Sequence, residues 1–438
     1  MRGITLFFLG IFLIGACILP QAAFAEDAED VAALNAKIES LSRKLEAMES
    51  KMMTMEKPAP GAQTVYLPST PEQGGGLLRA VEDINMGGYI DTQFQNTFET
   101  SEGANVGRVF SDRAKDTFSL NAAKIWFEKL ANPEGGAGFR IDLLIGSDAR
   151  FIDFNDGGTT QADEFALEQA YVQYILPLGF WESSKILPHS LEFKVGRFTT
   201  LAGYEVIEGP DNWNISRSVT FGYALPFAHT GIRVAYKLFD DFLTVYHGIN
   251  NGWDSDIGSH TYKTFENAIS FSPFKNVNWT TATYIGPEST GTANSVVGTR
   301  FLVTNVLTWD VNDKFALGGD FDFGNQRRVD LDGTEHFEQA QWYGLAGYAR
   351  YQITDKLAAA YRVELFRDAD RYRNWTGISP DGATTDFVNT ITLEYKLKDN
   401  MLLRGEYRID YAHAGDGNVF NGEPHQNTLG GQLIYQFG

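Results

Sequence analysis

The sequence predicts an all-β protein: a sixteen-stranded antiparallel transmembrane β-barrel behind a short N-terminal α-helical coiled coil. Three observations predict it. From about Met86 onward, apolar residues recur at every second position, the period of a strand with two unlike faces. The connections between these runs alternate between short turns and long loops, the asymmetry of barrels with one short-turned end. No segment after residue 25 is an uninterrupted apolar run of helical-span length, so a membrane-embedded mature chain must satisfy its backbone as a closed barrel.

Composition agrees. The 438 residues carry 36 Lys+Arg against 56 Asp+Glu, a formal charge of −20, so nothing concentrates basic side chains against nucleic-acid phosphates. One Cys excludes a disulfide framework and any Cys-rich metal site.

Residues 1–25 have the layout of a secretory signal peptide: Arg2, an uncharged run from Gly3 to Leu19, then Ala23-Phe24-Ala25. A second reading is lipidation at Cys17 within Ile14-Gly15-Ala16-Cys17, which would leave apolar Ile18-Leu19-Pro20 beside the anchor. Cleavage after Ala25 removes one cation and leaves a mature charge of −21. In residues 26–57, Val31, Leu34, Ile38, Leu41, Leu45, Met48, Met52 and Met55 form an unbroken 3-4 seam, expected of a coiled coil that joins copies of the chain. A seam so narrow suits self-association better than one helix lying on its own protein, but it does not choose between dimer and trimer. Residues 58–85, with Pro58, Pro60, Pro68, Pro71 and Gly74-Gly75-Gly76, read as a linker.

The barrel proper is expected over 86–438. Its strands are predicted at 86–98, 116–128, 137–147, 166–176, 190–199, 229–239, 241–250, 262–272, 277–286, 297–310, 314–324, 340–353, 356–367, 386–397, 400–411 and 426–437. The run 401–411 is the clearest. Leu403, Tyr407, Ile409 and Tyr411 share one face and Arg404, Glu406, Arg408 and Asp410 the other. Around Leu357–Leu365, Arg362 and Glu364 alternate with apolar residues in the same way. These six charged residues are expected to line the lumen, because an Arg at the midplane of the lipid face costs about 2–4 kcal/mol. Their mixed signs predict weak ion selectivity. The runs 116–128 and 340–353 are less regular: Lys124 shares a parity with Trp126, and Trp342 and Tyr348 with Arg350, which predicts a bulge or an off-register boundary in each. Aromatics gather at strand ends beside the short turns, at Phe239, Phe242, Phe274, Trp279, Trp309, Tyr351 and Tyr395, where amphipathic rings favour headgroups. The chain ends on Leu433, Tyr435 and Phe437 of one face, the kind of last strand that outer-membrane barrels display to their assembly machinery.

The fifth strand leads through Gly196-Arg197 into Tyr204-Glu205-Val206-Ile207, Asp211-Asn212-Trp213-Asn214-Ile215-Ser216-Arg217-Ser218 and His229-Thr230-Gly231-Ile232-Arg233. This string resembles the OmpL-like family of β-barrel porins, also called β-barrel porin type 2, and the likeness runs from about residue 86 to the end. The resemblance implies an outer-membrane diffusion channel for small hydrophilic solutes, with no defined solute. It does not extend to the coiled coil. A trimer-forming coil before a barrel is similar to the arrangement in phosphate-type porins, but no arginine ladder is present to carry phosphate selectivity over.

The connection after the fifth strand is the third on the long-loop side, about thirty residues rich in Trp, Tyr, Phe and Pro, and loops of that length are usually functional or disordered. In sixteen-stranded porins the third loop folds inward. The expectation is that Glu205, Glu208 and Asp211 face Arg197, Arg217 and Arg233 across a constriction, where opposed charges filter permeants. The bland alternative is that these charges cap turns and pair locally.

No cofactor or metal site is expected. The acidic stretches 153–156 and 330–335 lack the spacing of a complete calcium loop and suit solvation, or divalent bridging to lipopolysaccharide. No nucleophile-elbow, phosphate-loop or dinucleotide fingerprint occurs, and nothing in the sequence activates His247, His413 or Ser216. The expected protein is a non-enzymatic porin of the bacterial outer membrane. It assembles as a homotrimer with its coil in the periplasm, amid outer-membrane lipid. Two other readings stay open: a structural or binding barrel tethered to the cell wall, and a barrel enzyme acting on lipid.

Overall fold

The computed structural model describes residues 83–98, 108–110, 116–152, 164–179, 184–239, 242–255, 262–289, 297–330, 337–373, 384–414, 417–420 and 423–438. The expected signal peptide, the coiled coil and nearly all of the linker lie outside the described residues, as do the acidic loops at 153–156 and, almost entirely, 330–335.

Alternation of face along each run makes sixteen long strands. They are β1 (Asn85–Thr97), β2 (Thr117–Lys129), β3 (Gly136–Ile145), β4 (Phe165–Pro177), β5 (Ser190–Thr199), β6 (Ala228–Leu238), β7 (Leu243–Asn250) and β8 (Thr264–Phe274). Then follow β9 (Val277–Ser289), β10 (Val297–Asn312), β11 (Phe315–Asp330), β12 (Phe337–Gln352), β13 (Leu357–Asp368), β14 (Thr384–Lys398), β15 (Met401–Ala414) and β16 (His425–Phe437). Each pairs antiparallel with its sequence neighbour, and β1 pairs with β16 from Gly88↔Phe437 to Thr97↔Thr428. The sheet therefore closes and has no free edge, the condition for a β-structure to stand in hydrocarbon. A two-residue strand, Gly417–Asn418, folds back on His413–Ala414 in the last loop.

The two faces separate by chemistry. On β15 Leu403, Tyr407 and Tyr411 are exposed on the outer wall, while Arg404, Glu406, Arg408 and Asp410 are buried inside. On β13 Tyr361 faces out and Arg362 and Glu364 face in, both buried. All seven aromatics expected near the short turns are exposed.

The departures from expectation have physical causes. The β11–β12 hairpin runs further than predicted, to Asp330 and back from Phe337, with a register shift between Arg327 and Val329. Its tip is polar, and alternation was the only signal available there. In β2 the bulge is present, where Asp91 and Thr92 of β1 face Ala122 and Leu120. In β12 the ladder to β13 is unbroken from Trp342 to Gln352. Its irregular look comes from Trp342 and Tyr348, which turn inward and are 0% and 3% exposed. On β5, Arg197 has the parity of outward-facing Val195 yet is buried. The ladders to β4 and β6 run through Gly196 without a register shift; its φ of 133° needs glycine, a Cβ there would run into the Ala170 carbonyl, and the Arg197 guanidinium is held by Ile152 O and Glu168 O.

Candidate functional site

The 200–227 connection between β5 and β6 crosses the barrel interior. Its own sequence stiffens it. Gly203 (φ 85°) turns the chain inward. The Asn212 side chain accepts from Val206 N and donates to Val206 O and Glu208 O, at 3.1, 2.8 and 2.7 Å, closing a compact turn around the short 3-10 segment Gly209–Asp211. Ser218 caps a short helix, α1 (Val219–Ala224), by accepting from Phe221 N.

A loop buried inside a barrel must still satisfy its backbone donors and acceptors. The wall supplies them, and the alternating signs of its side chains fit that need. Arg404 donates to Gly209 O (2.9 Å) and Pro210 O (3.3 Å), Arg408 to Arg217 O (2.7 Å), and Arg362 to Ser216 O (2.5 Å). Glu406 accepts from Ile215 N and Ser216 N at 2.7 and 3.0 Å, Glu364 from Val219 N at 2.7 Å, and Asp320 from Tyr204 N at 3.0 Å. The Tyr204 ring stacks on inward-facing Tyr348 with centroids 4.2 Å apart, and Trp342 donates to Ala224 O. From the first long loop, Arg108 pairs with Asp410, and Phe110 packs on Phe221 and Phe227.

The residues expected at a constriction are distributed as follows. Glu205 bonds Arg362 (2.7 Å) and Ser218 N (2.7 Å). Arg217 clips its own loop, donating to Val206 O, Ile207 O and Ile215 O. Arg197 donates to Ile152 O and Glu168 O, and Arg233 pairs with Glu266 beneath the loop entrance. Glu208 reaches Lys124 at 2.6 Å, and Asp211 is exposed beside it. Glu205, Glu208 and Asp211 thus make no direct pair with Arg197, Arg217 or Arg233. The cations that meet Glu205 and Glu208 come from β13 and β2.

Lys124 is a buried, inward-facing cation that alternation marks only as an irregularity. Its ammonium lies 2.9, 2.7 and 2.6 Å from Asp142, Glu168 and Glu208. The three carboxylates are close enough together to hold a cation; the ammonium fills that place. The visible signal was the parity Lys124 shares with Trp126. Towards the short-turn end, a cavity of about 590 Å³ opens between the loop and the wall, lined by Tyr89, Lys124, Trp126, Arg140, Glu208 and Asp211 among others. Chemically the arrangement can narrow and charge a water path.

A family model described as "Putative beta-barrel porin-2, OmpL-like" matches residues 83–437. A search of the curated proteins gave no match. Among solved structures, the outer membrane channel DcaP of Acinetobacter baumannii is similar at 15% identity over 81% of this chain and 97% of that chain, with a TM-score of 0.54. An anion-selective porin from Comamonas acidovorans is similar at 11% identity over 81% and 99% of the two chains, with a TM-score of 0.50. Salmonella typhi OmpF is similar at 13% identity over 81% and 97%, also at 0.50. At such identities the likeness is one of fold.

Proposed function

We propose, from the premise that this chain belongs to the OmpL-like β-barrel porin-2 family, that it is an outer-membrane porin through which small hydrophilic solutes diffuse passively. Family and fold are those of a channel rather than an enzyme. The observation that carries the reading is the 200–227 loop, which crosses a closed barrel and is fastened to the opposite wall by buried charged groups. It would act as the constriction, with Glu205, Glu208, Asp211, Arg197, Arg217 and Arg233 shaping its charge, with Arg362, Glu364, Arg404, Glu406 and Arg408 holding it in place on the lumen wall, and with Asp410 beside them pairing with Arg108 and Arg408. Hydrogen bonds to charged groups are worth about 1.5–3 kcal/mol each, enough to keep the loop in one position. The proposal includes removal of residues 1–25, a periplasmic coil over 26–57 and a homotrimer in lipopolysaccharide-bearing membrane.

A second reading has an observation of its own. Arg362, Glu205 and Glu406 are at most 5% exposed, as a plugged barrel would also have them. Liposome swelling separates the two. Reconstituted protein is expected to admit a pentose faster than a disaccharide and to exclude larger oligosaccharides. Liposomes that do not swell in any sugar would favour the plug.

A further inference from the structure

The contacts that fasten the crossing loop leave one cationic feature that makes no ion pair among the described residues. At the long-loop end of the barrel, Arg300 near the start of β10 and Arg373 in the β13–β14 connection stack on one indole. Their guanidinium carbons lie 4.8 and 5.0 Å from the Trp253 ring centroid. Arg300 also lies 5.6 Å over Tyr372, and Arg373 5.5 Å over Trp342. Each is anchored through part of its fork. Arg300 donates Nε to Gln326 (2.7 Å) and Nη2 to the Tyr372 hydroxyl (2.6 Å), and Arg373 donates Nε to Tyr223 O (2.6 Å). Arg300 Nη1 and both terminal nitrogens of Arg373 meet no acceptor among the described residues, and neither arginine makes an ion pair there.

The carboxylates in the neighbourhood are engaged with backbone. Asp368 accepts from Tyr372 N and Arg373 N, and Asp254 from Phe227 N and Ala228 N. Burial, reinforced by the like charge of Arg300, pushes the Arg373 guanidinium down to about 10. Two pre-positioned forks on an aromatic shelf, with donors to spare, are the chemistry of oxyanion recognition.

We propose that Arg300 and Arg373 form a capture site for the carboxylate or phosphate of a small anionic solute, in the outer vestibule just before the crossing loop. The inference rests on the porin reading for its biological use, not for its binding chemistry. An anion arriving from the long-loop side replaces water on the free guanidinium edges and is released past α1, whose Tyr223 carbonyl Arg373 already holds.

The test uses the full-length protein in detergent, with benzoate and inorganic phosphate as probes and benzamide as the uncharged control. Trp253 and Trp342 abut the guanidinium groups, so binding is expected as a saturable change in tryptophan fluorescence with benzoate, with phosphate or with both, and with none from benzamide. Which anion acts tells carboxylate from phosphate capture. The Arg300→Gln/Arg373→Gln double variant should weaken the response by about tenfold or more, the loss of at least one charged hydrogen bond. If that variant does not fold, Arg300→Lys/Arg373→Lys keeps the charge without the fork and should bind between the two extremes. An equal response to benzamide, no saturable response in the native protein, or an unchanged response in either variant overturns the proposal. A fluorescence response from a protein that passes no current would sink the porin reading and leave the site standing.

Discussion

Deletion of residues 203–224 is expected to raise single-channel conductance severalfold. The deleted stretch carries the fastenings to Arg362, Glu364, Arg404, Glu406 and Arg408, and it spans the lumen from β5 to β15. Removing it leaves those side chains facing water, where ionic groups are well solvated, so the barrel should survive. Its wall is closed by strand pairing that does not involve the loop. A protein that still runs as a compact, heat-modifiable species but conducts as before would show that the loop does not limit the current, and the constriction would have to be sought elsewhere.

The largest stability effect is expected at Lys124. Lys124→Met leaves Glu168 and Glu208 with no ion-pair partner among the described residues and Asp142 with Arg140 alone. Breaking a buried ion pair by removing one partner typically costs about 3–5 kcal/mol, because charge is left uncompensated in a poor solvent. Urea unfolding in lipid vesicles should show a loss of that order. Lys194→Met is the control. Lys194 is part-exposed and sits 3.7 Å from Glu192, so its removal should cost no more than about 1 kcal/mol. Equal losses in the two variants would mean that the Lys124 cluster is hydrated and contributes little.

Most strands could be read from sequence because lipid enforces alternation. A residue such as Leu403 or Tyr407 meets acyl chains, its neighbours Arg404 and Arg408 meet the interior, and a one-residue slip exchanges them all. Where lipid stops enforcing the pattern, legibility falls, and the tip of the β11–β12 hairpin was missed for that reason. The crossing loop announced itself by its length and its aromatic content. Its route did not. Inside the barrel Arg404 and Arg408 do pair with the acids Glu394 and Asp410, and Glu364 with Arg362, but Arg217, Arg404 and Arg408 also answer to backbone carbonyls, and Glu406 and Glu364 to backbone amides. Peptide groups are the same at every position, so no residue type marks which of them will be bonded. Trp342 and Tyr348 face inward for a related reason: the loop turns part of the lumen wall into a packed core, which an alternation rule reads as an irregularity.

The central claim is an aqueous path through this barrel, with charges of both signs along it. Single-channel recording of the full-length protein in a planar bilayer, with the reversal potential read in a salt gradient, tests that claim most directly. Stable, stepwise conductance is expected, with a reversal potential small beside that of a perfectly selective pore. Membrane-inserted, folded protein that passes no resolvable current in any salt would contradict it.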